Sequence, residues 1–297
     1  MECRVPIKMG SFVPLTLSDF GRRLCIAGSV IGAICAMAGD CLAQGKLDAR
    51  YTASLAGVPI GKGAWSVDIG DDQYTAAASG MTTGILSVFT SGQGNGGSRG
   101  HVRSDGMVPN TYASSVTADH KLEEMRIVLS SGTVKEVTIT PPTAYNPERV
   151  PLSEGHRRGV TDPMSGLLIR VPGTGDPLSP EACRRTIPVF DGRMRFDLQM
   201  SFKRMDVAKA EKGYRGPAVV CAIQFVPLAG YVPDRPAVRY LVSQHDMEVW
   251  LAPVMGTRVV VPFRVSIPTP LGRGVLEATQ FITTPAPPRL TANNPTH

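Results

Sequence analysis

The alternation of apolar and polar residues is the feature that most constrains what this chain can fold into. From Leu47 to Leu55 every second side chain is apolar, and Trp65, Val67 and Ile69 repeat the alternation after a turn that contains glycine and proline. A period of two places one set of side chains on one face of a β-strand. The pattern therefore predicts half-buried strands.

Similar segments recur along the chain with turn residues between them, which is typical of an antiparallel meander. Further strands are predicted at 74–81, 85–90, 102–104, 107–116, 123–130, 134–140, 184–190, 193–203, 218–227, 247–253, 258–266 and 274–282. The predicted fold class is mainly β, with a strongly curved sheet, an open barrel or a β-spiral, and one or two short helices.

The middle of the chain interrupts this rhythm. The proline-rich segment 141–179 contains Thr161-Asp162-Pro163, an N-cap residue followed by proline at the first helical position. We predict a short helix from Pro163 to Val171, and a second from Pro236 to Gln244. The segment divides the predicted domain of 44–282 into two candidate halves, 44–140 and 180–282. A tail at 283–297, rich in proline and polar residues, is predicted to be disordered.

The first 43 residues have a composition of their own. Arg22 and Arg23 precede a charge-free apolar run from Leu24 to Ala38, and small residues follow it. The run is shorter than the roughly 20 residues that a membrane-spanning helix needs, and it is typical of a signal peptide. We predict a signal peptide at 1–43 with cleavage between Ala43 and Gln44. The mature protein is then expected in the periplasm, without a stable membrane span.

Removal of this leader changes the cysteine count. The chain has six cysteines, of which only Cys183 and Cys221 lie after residue 43. Two cysteines in an oxidising compartment usually form one disulfide. Cys221 lies in the apolar run 219–223, a context that suits a structural bridge. We predict a structural disulfide between Cys183 and Cys221.

Several segments of the mature chain resemble a known family. They are 183–198, which contains Phe190-Asp191-Gly192-Arg193, together with 214–221, 51–63, 106–109, 249–251 and 269–272. In these segments the chain resembles the bacterial family called domain of unknown function 3108. The resemblance implies a secreted envelope protein without an assigned activity. It supports the disulfide and carries over no catalytic residue.

The motifs of common catalytic and cofactor sites are missing from the sequence. Residues 92–97 match Gly-x-Gly-x-x-Gly, but they lead into 98–102 and not into a helix that could hold a pyrophosphate, so we interpret them as a loop. The histidines have no metal-ligating spacing. We predict no catalytic residue, no cofactor and no metal.

One motif allows two interpretations. Asp191, Arg193, Arg195 and Asp197 belong to a predicted hairpin turn and its second arm, and they form a candidate interaction face for a protein or a lipid headgroup. Alternatively, Asp191 serves the turn and the charges are the solvated side of a strand. The sequence favours the second interpretation.

Three functions are compatible with these features. We prefer a non-enzymatic periplasmic protein that supports envelope integrity through protein contacts. The alternative is a carrier of lipid or another apolar ligand with a half-barrel cavity, in which Trp65 and Trp250 are candidate cavity aromatics unless they are core residues. The third is an envelope-glycan hydrolase, which needs two carboxylates about 5 to 10 Å apart. A filled concavity favours the first, and an open apolar cavity the second.

The charge distribution selects no partner. The chain has a net charge of +6, with acids and bases interspersed, which favours no particular class of partner. Nucleic acid is not expected as a partner in the periplasm. The sequence leaves the oligomeric state open.

Overall fold

The structure is a computed structural model that describes residues 44–83 and 92–285. The predicted signal peptide, the strand predicted at 85–90 and the tail beyond residue 285 lie outside the described residues.

The described residues form strands over most of their length, with one short α-helix and three 3-10 turns. The strands are β1 (Gly45–Leu55), β2 (Val58–Ile69), β3 (Gln73–Thr82), β4 (Gly92–Val102), β5 (Met107–Ala118), β6 (Lys121–Ser130), β7 (Thr133–Thr140), β8 (Ile169–Arg170), β9 (Arg185–Phe190), β10 (Arg195–Lys209), β11 (Lys212–Gly213), β12 (Arg215–Ala229), β13 (Met247–Pro253), β14 (Val259–Thr269) and β15 (Gly272–Pro285). The helix α1 spans Pro236–Ser243, and the 3-10 turns span Glu154–Arg157, Ser165–Leu167 and Pro180–Ala182.

All these strands belong to a single sheet. Its order is β7-β6-β5-β4-β3-β2-β1-β15-β14-β13-β12-β10-β9, with β8 beside β14 and β11 beside β15. Neighbouring strands along this order are antiparallel, whereas β11 runs parallel to β15. The prediction of a mainly β antiparallel meander is confirmed. Since β1 pairs with β15 in the middle of the order, the two candidate halves are parts of one continuous sheet.

The burial of each strand follows from what covers its two faces. In β1 the alternation predicted from the sequence is observed, because Leu47, Ala49 and Tyr51 are buried and the residues between them are exposed. Strand β13 is buried along both faces. Its Trp250 belongs to the main core cluster, whereas Val249 belongs to a second cluster on the other face. Packing on both sides explains the continuous apolar character of β13.

A disulfide bond lies within the second core cluster. It joins Cys183, which follows the turn Pro180–Ala182, to Cys221 on β12, with Cα atoms 5.4 Å apart. Both cysteines are fully buried. The predicted pairing is confirmed, and its surroundings are those of a structural bridge.

A short segment connects the two ends of the sheet. Residues 158–161 bridge to Thr133 of β7 on one side and to Val189 of β9 on the other. The backbone N–H of Val160 donates to Gly132 O at 2.9 Å, and that of Thr161 donates to Pro188 O at 2.8 Å. The sheet therefore curves so far that only this segment separates its two edge strands, β7 and β9.

The helix predicted from Pro163 to Val171 is wrong. Asp162 does accept the backbone N–H groups of Met164 and Ser165, as an N-cap should, but only the 3-10 turn Ser165–Leu167 follows. The chain then extends because β8 pairs with β14. The second predicted helix is present as α1.

Two further segments differ from the prediction. The glycine-rich segment interpreted as a loop is β4, which pairs with β3 and β5. Glycine is required in this strand at Gly100, where a Cβ atom would lie 2.2 Å from Val108 O. The last strand, β15, continues to Pro285 and so includes the first residues of the segment assigned to the tail.

Candidate functional site

An apolar groove with two chambers lies between the walls of the curved sheet, and we call it the two-chamber groove. The first chamber, of about 570 Å³, lies between strands β1–β3 on one side and β14 and β15 on the other. The second, of about 230 Å³, is lined by β9, β10, β12–β14 and α1. Leu167, Pro262 and Val265 line both chambers, so the chambers meet there.

Small residues make the wall of the first chamber. Across β1, β2 and β3, Ala53 is opposite Gly61, Gly63 is opposite Gly80, and Trp65 is opposite Ala78. Directly opposed residues in an antiparallel sheet present their side chains to the same face. Because these residues have little or no side chain beside Trp65, the wall leaves open volume where larger residues would fill it.

The lining of both chambers is almost entirely apolar. The second chamber is lined by aliphatic and aromatic side chains, among them Met200, Ile223 and Val249, and Leu241 from α1. In the first chamber the hydroxyl of Tyr51 donates to Pro262 O at 2.8 Å. Burial raises the pKa of Tyr51 well above its usual range, so the phenol stays neutral. The groove therefore suits the apolar part of a ligand, and Lys62 is the one lysine or arginine in its lining.

The turn that separates the chambers is held by a buried polar network. Asp162 Oδ1 accepts the backbone N–H of Met164 and of Ser165, both at 2.9 Å. Its other oxygen, Oδ2, accepts the hydroxyl protons of Ser165 and of Ser98, the latter at 3.0 Å. The Ser165 hydroxyl also lies 2.6 Å from Tyr74 Oη. The turn Ser165–Leu167 is thereby attached to β3 and β4.

This network serves anchoring and not catalysis. Asp162 is 0% exposed and Ser165 3%, so a substrate has no access to either side chain. Burial raises the pKa of the Asp162 carboxyl, although its hydrogen bonds act in the opposite direction. Burial likewise raises the pKa of Tyr74 to about 12. The sequence identified Asp162 as a cap but could not identify Ser98 and Tyr74, which are distant along the chain.

The two candidate cavity aromatics lie in different surroundings. Trp65 lines the first chamber, and its buried Nε1–H has no hydrogen-bond acceptor among the described residues. Trp250 lines neither chamber. Its Nε1 donates to Asp206 Oδ2 at 3.0 Å, and the guanidinium carbons of Arg204 and Arg264 lie 5.2 and 4.9 Å from its ring centroid. A cavity role thus fits Trp65, whereas Trp250 is a core residue, which is the alternative that the sequence also allowed, and its ring packs beneath two arginines.

The four residues of the candidate interaction face are occupied within the chain. Asp191 Oδ1 accepts the backbone N–H of Arg193, as turn chemistry requires. The Arg193 guanidinium donates twice to the Glu123 carboxylate, at 2.6 and 2.8 Å. Arg195 is 9% exposed and pairs with Asp197 at 2.6 Å. The role of these residues in partner binding stays a prediction.

The signal that could have indicated the groove lies in the glycines of β2 and β3. Gly61, Gly63 and Gly80 stand inside segments that alternate as strands. Glycine in a strand interior often marks the close approach of a ligand or another backbone.

The described residues contain neither a metal-binding cluster nor a helix that could span a membrane. In residues 44–83 and 92–285 no group of three or more His, Cys, Asp or Glu side chains is placed to hold a metal ion. Within the same residues, no helix has the length and apolar character needed to cross a membrane.

Comparison with known proteins gives a family and a distant structural likeness. A family model described as a protein of unknown function (DUF3108) matches residues 50–279. No curated protein matches the chain. Among solved structures, the chain is similar to a beta-barrel-like protein of domain of unknown function DUF1849 from Brucella abortus. The identity is 10% and the TM-score 0.44, over 82% of this chain and 98% of that chain. We draw nothing further from that likeness.

Proposed function

The chain belongs to the DUF3108 family of proteins of unknown function, and for this member we propose the binding of an apolar ligand with an acyl chain in the two-chamber groove. The single observation that carries the proposal is the pair of adjoining chambers with an almost wholly apolar lining. Of the functions compatible with the sequence, the groove supports the carrier of a lipid or another apolar ligand. Protein contacts in support of envelope integrity have no comparable observation in their favour.

The dimensions support a ligand of lipid size. Small-molecule pockets enclose about 300 to 1,000 Å³, and the first chamber alone has about 570 Å³. Each methylene group removed from water contributes about 0.8 kcal/mol. An acyl chain of ten methylene groups therefore gains about 8 kcal/mol, which lies within the range of about 4 to 15 kcal/mol that the loss of freedom on binding costs, and each further methylene group adds to the gain.

The shape supports an unbranched ligand. The glycine and alanine wall offers a smooth surface beside Trp65, and Leu167 stands where the two chambers meet. A flexible chain can pass Leu167 and occupy both chambers, whereas a wide rigid ring system would have to displace it. The predicted signal peptide and the disulfide support a location in the periplasm, between two membranes that contain acyl chains.

A substitution that places a larger side chain in the first chamber tests the proposed function. Ala78 and Ala77 are neighbours on β3, and successive residues of a strand face opposite sides. Ala78 lines the first chamber, while Ala77 is exposed and lines neither chamber. We expect Ala78→Leu to weaken fatty-acid binding by about tenfold or more, since the new side chain occupies the volume that about three methylene groups of the ligand would fill. Ala77→Leu should leave binding unchanged.

The measurement is displacement of a fluorescent fatty acid by palmitate from the mature chain, together with native mass spectrometry. Thermal unfolding of both variants establishes that they are folded. Equal binding by the wild type and a folded Ala78→Leu variant would show that the groove is not the site. Failure of the wild-type protein to bind either fatty acid would overturn the proposed function.

A further inference from the structure

We propose that a separate polar cleft on strands β3–β6 binds a water-soluble ligand that carries phosphate groups. The cleft has a volume of about 1,040 Å³ and is lined by residues from 73–75, 99–103, 107–111 and 128–132, with Val160. We call it the basic cleft. It shares no lining residue with the two-chamber groove, so this proposal is independent of the proposed function.

Three basic side chains enter the lining from one stretch of chain. Arg99 and His101 alternate on β4, and Arg103 follows directly after the strand. Residues two apart on a strand project from the same face and lie about 6.8 Å from each other. Among the residues that line the cleft there is no aspartate or glutamate. The lining therefore presents two guanidinium groups and an imidazole, and it contains no carboxylate.

Unlike most of the other arginines that the structure describes, Arg99 and Arg103 have no partner for their guanidinium groups among the described residues. Arg193, Arg204 and Arg273 each pair with a carboxylate of this chain. The side chains of Arg99 and Arg103 have neither a hydrogen bond nor an ion pair within residues 44–83 and 92–285. A guanidinium has five donors in a fixed fork that matches phosphate oxygens. Two such forks in one cleft are available to an anionic ligand.

Polar neutral groups surround the arginines. Thr75 and Thr111 are directly opposite Arg99 on the two neighbouring strands, so their side chains share its face. The ladder between β4 and β5 shifts register between Arg99 and Gly100, which leaves Asn110 as an extra residue on β5. Bulges of this kind often re-aim side chains beside binding sites. Asn110 lines the cleft and adds an amide that can donate or accept.

These features define the chemistry of the ligand. Two guanidinium groups four residues apart, with an imidazole between them, suit an extended anion, such as an oligophosphate or a saccharide with more than one phosphate. Hydroxyl and amide groups beside them suit the oxygen atoms of such a molecule. The two arginines distinguish this cleft from the two-chamber groove, which contains no arginine in its lining.

The test is isothermal titration calorimetry of the mature chain with inorganic tripolyphosphate at low salt. We expect the wild type to bind, and the double variant Arg99→Gln/Arg103→Gln to bind about tenfold more weakly or worse, because two charge-assisted contacts are lost. The matched control is Arg215→Gln/Arg239→Gln. It removes the same charge from two exposed arginines of β12 and α1 that lie outside the cleft. The control should bind within about twofold of the wild type.

The remaining outcomes decide the source of the phosphate and the specificity. Absence of binding by the wild type, or an equal loss in both double variants, would overturn the proposal, since the second result reports net charge alone. A parallel sedimentation assay uses phosphatidylglycerol vesicles with phosphatidylcholine vesicles as the control. Arg99-dependent and Arg103-dependent binding to phosphatidylglycerol vesicles, without binding of tripolyphosphate, would assign the cleft to membrane headgroups and overturn a soluble ligand.

Discussion

Asp162 is the residue on which the buried polar contacts of the interior converge. Its two carboxylate oxygens accept four hydrogen bonds, from two backbone N–H groups and two serine hydroxyls. Removal of the carboxylate leaves those donors without an acceptor in a place that water does not reach. We expect Asp162→Ala to reduce the free energy of unfolding by about 3 kcal/mol, as measured by urea denaturation. Asp162→Asn should reduce the free energy of unfolding clearly less, because it keeps Oδ1 as an acceptor and the two serine hydroxyls can rotate.

The same residue makes the stability depend on pH. Burial raises the pKa of Asp162 in the folded protein above its unfolded value, so the folded state holds the proton more tightly. The corresponding stability is fully present below the unfolded pKa of about 3.9 and is lost as the pH rises through the folded pKa. The free energy of unfolding of the wild type, relative to Asp162→Asn, should therefore increase as the pH falls from neutrality towards about 4. A constant difference between the two proteins across this pH range would contradict the assignment.

At the scale of single elements, the two ends of the sheet are joined by a buried apolar cluster that contains Val134 and Phe190, and by one bidentate ion pair at the surface. The pair joins Arg193, in the turn between β9 and β10, to Glu123 of β6. Arg193 lowers the pKa of the Glu123 carboxyl. The stability from this pair is therefore present above the unfolded pKa of about 4.3 and is lost as the pH falls through the folded value.

Breaking this pair should loosen the edge strands first. Both side chains are partly exposed, so we expect Glu123→Gln to lower the free energy of unfolding by only about 1 kcal/mol. Hydrogen exchange should nevertheless become faster in β7 and β9 while β12 and β13 are unchanged, because local opening begins where contacts are few. Glu124→Gln is the control, since Glu124 is exposed and has no ion pair among the described residues. Uniform exchange rates in Glu123→Gln would argue against a role of the pair at the sheet edge.

The elements also show which parts of the molecule the sequence could predict. Strands such as β1 were predictable because one face is buried and alternation reports burial directly. Strand β4 was not, since glycines have no side chain that could show an alternation. The helix at 163–171 was wrong because β8 pairs with β14, a contact between residues that are far apart along the chain. The groove was not predictable for the same reason, since its walls come from both ends of the sequence. Among its lining residues, the sequence indicated only Trp65.

At the scale of the whole molecule, the disulfide is the single covalent link between distant parts of the described chain. The two cysteines are separated by 38 residues, and closing a loop of that length stabilises the folded state by about 4 kcal/mol in the chain-entropy model. Reduction of the purified protein without the predicted signal peptide, which contains the other four of the six cysteines, should release two thiols and lower the melting temperature. Thiol alkylation before and after reduction, followed by thermal unfolding, measures both effects. Two reactive thiols in the unreduced protein would contradict the bridge.

The pairing of β1 with β15 has a consequence for how the chain reaches its final form. A side-chain hydrogen bond across this ladder joins Gln280 to Asp48, which are 232 positions apart. Strands β1–β7 can form a meander as they emerge, but β1 keeps one open edge until the last strand has been made and delivered. Such long-range pairing folds slowly, and an open strand edge invites pairing with other chains. The chain can therefore complete its sheet only after β15 has been made, and the free edge of β1 stays exposed to aggregation until then.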